Sequence, residues 1–384
     1  MFEFMTSPRI VFGAGVLAQI GQIVAPMTSA KQAFIVATSA ARATPVVTLL
    51  SEAGIASTVY SVRGEPTVET ALDGVAALRE AGADVVIGFG GGSSIDGAKA
   101  IAALATNPGD PLDYLEVVGK AQPLVAAPLP IIAIPTTAGT GSEVTRNAVL
   151  GVAAKQVKVS LRSPLMIPRV ALIDPQLATS LPPEVTAASG MDALTQVIEP
   201  FVSHKATPLT DALCCEGIMR GSRALRRAYN TPDDIEARSD MALTALLSGM
   251  ALANAALGAV HGFAGPLGGM YPAAHGAICA RLLPIVMEVN IRALRARQPE
   301  SVALARYAEI ARLVSGNEDA NAEDGAAWAY MLREMLHIPP LGDYGVASSA
   351  FADIVAKAGR ASSMKGNPLV LTDDELTEII TRAV

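Results

Sequence analysis

The spacing of hydrophobic residues changes once along the chain, at Leu181-Pro182-Pro183, and that change limits the possible folds more than any other feature. Before it, short β-branched runs alternate with helical patterns across Gly, Pro and Asp/Asn punctuation. Gln32–Ala37, Ser57–Val62, Asp84–Gly88, Pro130–Ile134 and Val170–Ile173 read as strands, while Thr44–Ala53, Thr67–Ala81 and Ser94–Leu104 repeat apolar residues at helical intervals. Most of these strands are too apolar to be half exposed, so they imply a parallel sheet covered on both faces. Beyond the change, strand signals nearly vanish. Ala/Leu-rich periodic segments follow at Glu184–Phe201, Pro208–Tyr229, Ile235–Leu257, Gly276–Leu294, Ser301–Leu313 and Ala322–Leu336. The reading is an α/β domain with a parallel sheet over residues 1–182 and an all-helical domain over 183–384. With no linker between them, a cleft where they meet is the default place for a site.

Composition removes several function classes. The chain has 29 basic against 36 acidic residues, a formal charge of −7, and no Lys/Arg-rich run, so nucleic acid is not expected as a partner. Its mean hydropathy of +0.38 and the uncharged stretch from Met241 to Val260 raise the question of a membrane span. That stretch is mostly Ala and Gly, contains Thr244, Ser248 and Asn254, and leads into His261 rather than a basic anchor. It reads as a buried core helix, and no membrane partner is expected. Cys214, Cys215 and Cys279 cannot all pair, and the N-terminal residues lack a secretory pattern, so a cytoplasmic location is expected.

Two loops suit a nucleotide. The strand ending at Gly88 runs through Phe89-Gly90-Gly91-Gly92-Ser93-Ser94 into a helical segment, an order in which glycines admit a pyrophosphate and the helix N-terminus stabilises its charge. After Ile134, Pro135-Thr136-Thr137-Ala138-Gly139-Thr140-Gly141-Ser142-Glu143-Val144-Thr145 supplies hydroxyl donors. Two such loops at carboxyl ends of strands in one sheet suggest a bound nucleotide. In the helical half, His261 and His275 flank the uncharged GFAGPLGGMYPAA, read as a loop. Asp192 lies on an apolar helical face with Gln196 one turn later. A carboxylate and two imidazoles are a donor set for Fe²⁺ or Zn²⁺ with positions left for substrate.

With those residues identified, the blocks SPRIVFGAG, GGGSSIDGAKA, PTTAGTGSEVT, ALIDPQLATSLP, GMDALTQVIEPFVS, VHGFAGPLGGMYPAAHGAICARLLP and NPLVLTDDEL resemble, in order and over the full length, the iron-containing (group III) alcohol dehydrogenases of the dehydroquinate synthase-like superfamily. The resemblance implies a dinucleotide-binding domain followed by a helical metal domain. It implies Gly91, Gly92 and Ser93 on the pyrophosphate and Asp96 close to the cofactor. Thr136, Thr137, Thr140 and Thr145 would line the cofactor path, with Lys158 near the nicotinamide ribose and Leu177 beside the ring. Asp192, Gln196, His261 and His275 fall at the family's metal-ligand positions. Asp192, His261 and His275 would act in catalysis through the metal.

Three positions depart from the family pattern. Gln196 stands where histidine is usual and is a weaker, neutral donor that weakens or alters the metal site. Gly265 stands where a second histidine is usual, which leaves a larger pocket. Thr38 replaces the aspartate after the second strand that accepts the ribose hydroxyls, so either NAD or NADP is admitted, with Arg42 nearby. The expected activity is an NAD(P)-dependent alcohol dehydrogenase or aldehyde reductase (EC 1.1.1.-) on a small alcohol or carbonyl substrate, assembled as a homo-dimer or larger. The alternatives are a dehydroquinate synthase-type lyase and a nucleotide-binding protein with a degenerate metal site.

Overall fold

The computed structural model describes residues 1–152 and 157–384. Among the described residues the strands are β1 (Ile10–Phe12), β2 (Gln32–Ala37), β3 (Ala56–Ser61), β4 (Val85–Gly90), β5 (Ile131–Pro135), β6 (Asn147–Val152), β7 (Val157–Arg162) and β8 (Val170–Ile173). Among them run the helices α1 (Ile20–Val24), α2 (Ala40–Glu52), α3 (Val68–Ala81) and α4 (Gly92–Thr106). Six strands form one parallel sheet in the order β1-β8-β5-β4-β2-β3. The expected parallel sheet is therefore present, and its apolar strands are covered on both faces. In β2, Phe34 and Val36 pack into one core while Ala33, Ile35 and Ala37 pack into another, the alternation that the pleat imposes. Helix starts follow their caps: Thr67 accepts from the Thr70 amide at the head of α3, and Gly82 ends that helix at φ +63°. The β6–β7 antiparallel pair was not visible as a continuous apolar run, because both strands alternate partly exposed and buried residues.

The second half is helical: α5 (Pro183–Val202), α6 (Pro208–Asn230), α7 (Ile235–Ala255), α8 (Ala259–Met270), α9 (His275–Arg297), α10 (Val302–Ser315), α11 (Ala322–Met335), α12 (Phe351–Arg360) and α13 (Asp373–Ala383). By contacts the chain divides into one compact unit of residues 5–137 and 141–178 and another of 1–4, 138–140 and 179–384. One hydrophobic core runs through the helical unit, with α5 and α9 burying long faces against their neighbours.

The uncharged stretch before His261 corrects two expectations. It is not one helix delivering His261: α7 ends at Ala255, Ala256 takes φ +65°, and α8 departs at 100°. The segment after His261 is not a loop either. It is helical despite Pro266, because α9 and α12 pack along it. Among the described residues no single helix is long and apolar enough to cross a membrane. All three cysteines are free.

Candidate metal centre and cofactor loops

Three helices bring the donors together. On α5, Asp192 is 2% exposed, and its Oδ1 has no hydrogen-bonded partner among the described residues. His261 lies in the first turn of α8 and His275 is the first residue of α9. The Asp192 Oδ1 is 3.4 Å from His261 Nε2 and 3.7 Å from His275 Nε2. The sequence reading missed a fourth donor, Cys279. Its Sγ lies 3.8 Å from His261 Nε2 and 3.7 Å from His275 Nε2, and all four donor atoms fall within 4.8 Å of one another. The signal was available: His275 and Cys279 are spaced i, i+4 on one helix, as Asp192 and Gln196 are.

These separations fit a cation. Bonds of about 2.0–2.3 Å to a tetrahedral Zn²⁺-like ion place neighbouring N, O and S donors about 3.3–3.6 Å apart, against 3.4–3.8 Å for the four imidazole–carboxylate and imidazole–thiol pairs, the remaining two pairs lying within 4.8 Å. The charges of these neighbouring groups act strongly on one another. Burial pushes the Asp192 carboxyl up, but the His275 and His261 imidazoles and the Gln196 amide outweigh it and hold it at about 2. Burial disfavours the imidazolium at His275, yet Cys279 and Asp192 overcome that and raise it to about 9. His261 is driven well upward by the same two neighbours against its own burial.

Behind these donors a polar framework fixes their orientation. Glu199, one turn beyond Gln196 on α5, accepts from the Val260 amide at 2.6 Å and faces His261 Nδ1 at 2.7 Å. The Nδ1 proton is thereby assigned to the Glu199 side, which leaves the Nε2 lone pair turned to Asp192 and Cys279. Asn367, from the NPLVLTDDEL block, accepts from the Ala259 amide and exchanges bonds with Asn290, which also donates to the Tyr307 hydroxyl. That network holds the start of α8 in place. Gln196 is buried at 2%, and its Oε1 has no hydrogen-bonded partner among the described residues. A Cβ built at Gly265 would meet nothing within 4 Å, so open space stands there.

In the α/β unit the two expected loops follow β4 and β5, which are neighbours in the sheet, with the end of β2 beside them. Gly91 is the N-cap of α4, and Gly92 and Ser93 are its first residues. A Cβ on Gly91 would sit 3.4 Å from the Thr137 hydroxyl, and one on Gly90, at φ +150°, would be 3.6 Å from the Thr38 hydroxyl. Thr38, Gly91 and Thr137 thus border one backbone-lined cradle, and the Thr136 amide ties the two loops by donating to the Gly90 carbonyl. Thr140 groups with the helical unit. Asp96 and Thr145 are engaged internally. Asp96 accepts from the Val149 amide and the Ser142 hydroxyl, and Thr145 accepts from the fully buried Lys99. Lys158, on β7, pairs with Glu65 at 3.4 Å. Leu177 lies in a short turn after β8 and packs on the sheet's core.

Comparison with known proteins agrees with this geometry. The family pattern "Iron-containing alcohol dehydrogenase" matches residues 7–175, and "Fe-containing alcohol dehydrogenase family, C-terminal" matches 186–384. Alcohol dehydrogenase 4 of Saccharomyces cerevisiae (strain YJM789) is 37% identical over 87% of this chain and 85% of its own length. The 1,3-propanediol dehydrogenase of Citrobacter freundii is 35% identical over 100% of this chain and 99% of its own. Among solved structures, a 1,3-propanediol oxidoreductase superposes with a TM-score of 0.91 at 34% identity, covering 100% of both chains. A sulfoacetaldehyde reductase from Bifidobacterium kashiwanohense in complex with NAD+ superposes at 0.88 with 27% identity, covering 100% of this chain and 98% of that one. The donor cluster, the glycine cradle and these full-length likenesses together establish that the chain belongs to the iron-containing alcohol dehydrogenase family.

Proposed function

We propose that this protein interconverts an alcohol and an aldehyde or ketone with NAD(P), using a divalent metal, iron or zinc, held in the helical unit. The observation that carries the reading is the cluster of Asp192, His261, His275 and Cys279 backed by Glu199. A bound divalent ion supplies a Lewis acid to the substrate oxygen, and the nicotinamide supplies or accepts the hydride. The chain's own residues do the rest. The amides at Gly92 and Ser93, in the first turn of α4, are placed to take the pyrophosphate. Glu199 holds the proton at His261 Nδ1. The His275 side chain is 38% exposed against 2% for Asp192 and 6% for His261, so a substrate oxygen reaches the cluster from the His275 side. The open space at Gly265 suits a substrate bulkier than a short primary alcohol.

A dehydroquinate synthase-type lyase is less well supported, because such a site needs basic side chains to hold an anionic substrate. Helix α5 carries no Lys or Arg, and the single one between His261 and Leu283, Arg281, donates to the Ala383 carbonyl. Metal analysis of the purified protein, combined with a carbonyl panel assayed with NADH and NADPH, tests the proposal. Bound metal and turnover are expected. Absence of both would make the chain a nucleotide-binding protein with a degenerate centre.

A further inference from the structure

We propose that Cys279 is a thiolate ligand of the metal, so that the centre is an Asp/His/His/Cys site suited to zinc rather than one completed from position 196. The inference rests on the metal-dependent reading above and specifies its donor set. Asp192 and Gln196 form one i, i+4 pair on α5, and His275 and Cys279 form another on α9. The two pairs offer one candidate each for the remaining donor. Gln196 contributes a neutral amide, a weaker donor to a divalent ion than a thiolate. Cys279 is fully buried, and its sulfur stands 3.7–3.8 Å from both imidazole Nε2 atoms, near the donor spacing that a tetrahedral ion demands.

Charge points the same way. A carboxylate and a thiolate place two negative charges directly on a divalent ion among buried apolar residues such as Met191 and Ile278, whereas Asp192 alone places one, with the Glu199 carboxylate held a step away behind His261. On binding, the sulfur–metal bond forms as the thiol proton leaves to solvent, any imidazole nitrogen that bonds the ion gives up its proton in the same way, and no oxidant or reductant is involved. A thiolate makes the set softer, which favours Zn²⁺ over Fe²⁺.

The test is cobalt substitution, read in the near-ultraviolet, where a thiolate bonded to Co²⁺ gives an intense charge-transfer band that N and O ligands do not. Wild-type protein titrated with Co²⁺ is expected to show the band. C279S should lose it and bind Zn²⁺ at least about 10-fold more weakly, while Q196A keeps the band. The double variant Q196H/C279S should regain Zn²⁺ affinity without regaining the band, and circular dichroism checks that each variant is folded. Wild-type protein that binds Co²⁺ without the band would overturn the thiolate assignment while leaving the metal-dependent reading in place. So would a C279S variant that retains both band and affinity. Failure of wild-type protein to take up either Co²⁺ or Zn²⁺ would overturn both.

Discussion

Replacing Gly276 with alanine tests whether the metal centre depends on the close approach of α9 to α5. Gly276 follows the donor His275, and a Cβ built on it would lie 2.3 Å from the Ala188 carbonyl oxygen and 3.4 Å from Asp192 Cβ. Side-chain carbons do not approach other atoms closer than 3.0 Å, so α9 must retreat by at least 3.0 − 2.3 = 0.7 Å. The obstacle is backbone on a helix buried along most of its length, so it cannot swing aside. Metal bonds tolerate about 0.2 Å, and 0.7 Å carries His275 and Cys279 together away from Asp192. Overpacking of this kind costs about 1–3 kcal/mol, which lowers the melting point of the metal-free helical unit by roughly 2–12 °C. The same movement weakens Zn²⁺ binding about 10–100-fold. Isothermal titration with Zn²⁺ and thermal melts with chelator measure the two effects. Gly265→Ala is the matched control, since its Cβ meets nothing within 4 Å; alanine there should leave metal affinity intact and add about 0.5–1 kcal/mol. A G276A protein that binds Zn²⁺ as tightly as wild type and melts no lower would refute the argument.

Three further expectations concern other parts of the molecule. Glu199→Gln keeps the shape but removes the charge that holds the His261 Nδ1 proton, and should cost about 10–100-fold in metal affinity, read by chelator competition. Glu143 is buried, and burial pushes its carboxyl to about 7 despite nearby Lys99. Its folded value lies above the unfolded one, so the native state keeps a proton that the unfolded chain releases. The α/β unit should therefore lose stability as pH rises from about 4.5 to about 7, and Glu143→Gln should flatten that slope in urea titrations. Thr38→Asp places a carboxylate where a ribose 2′-phosphate would lie. It should lower kcat/KM with NADPH at least about 10-fold relative to NADH, and an unchanged ratio would remove Thr38 from the cofactor site.

The extent to which the fold was legible follows burial. Strands β2, β4, β5 and β8 announced themselves because each is buried on both faces and therefore continuously apolar. The β6–β7 pair, with partly exposed residues at alternate positions, was invisible by the same test. The segment from Gly262 to Met270 misled for the opposite reason: glycines and Pro266 weaken a helix locally, and packing against α9 and α12 outweighs that preference. In the site, Asp192, His261 and His275 were legible as polar groups out of place in apolar surroundings. Cys279 was not, because cysteine is at home in a core and carries no such contrast. Glu199 and Asn367 were likewise hidden, since each acts on a residue distant in sequence.

By itself, then, the sequence determined the buried strands and most of the long helices, the two fold classes, three of the donors and the glycine-rich turns, because periodicity and residue chemistry are local properties. Tertiary structure decided which donors meet. Asp192, His261 and His275 are separated by 69 and then 14 residues (261 − 192 and 275 − 261), and only the packing of α5, α8 and α9, with glycine at 276 where α9 touches α5, brings their atoms within 4.8 Å. The same packing sets the sulfur of Cys279 beside both imidazoles, a proximity that depends on how buried helix faces interlock and that no local pattern encodes.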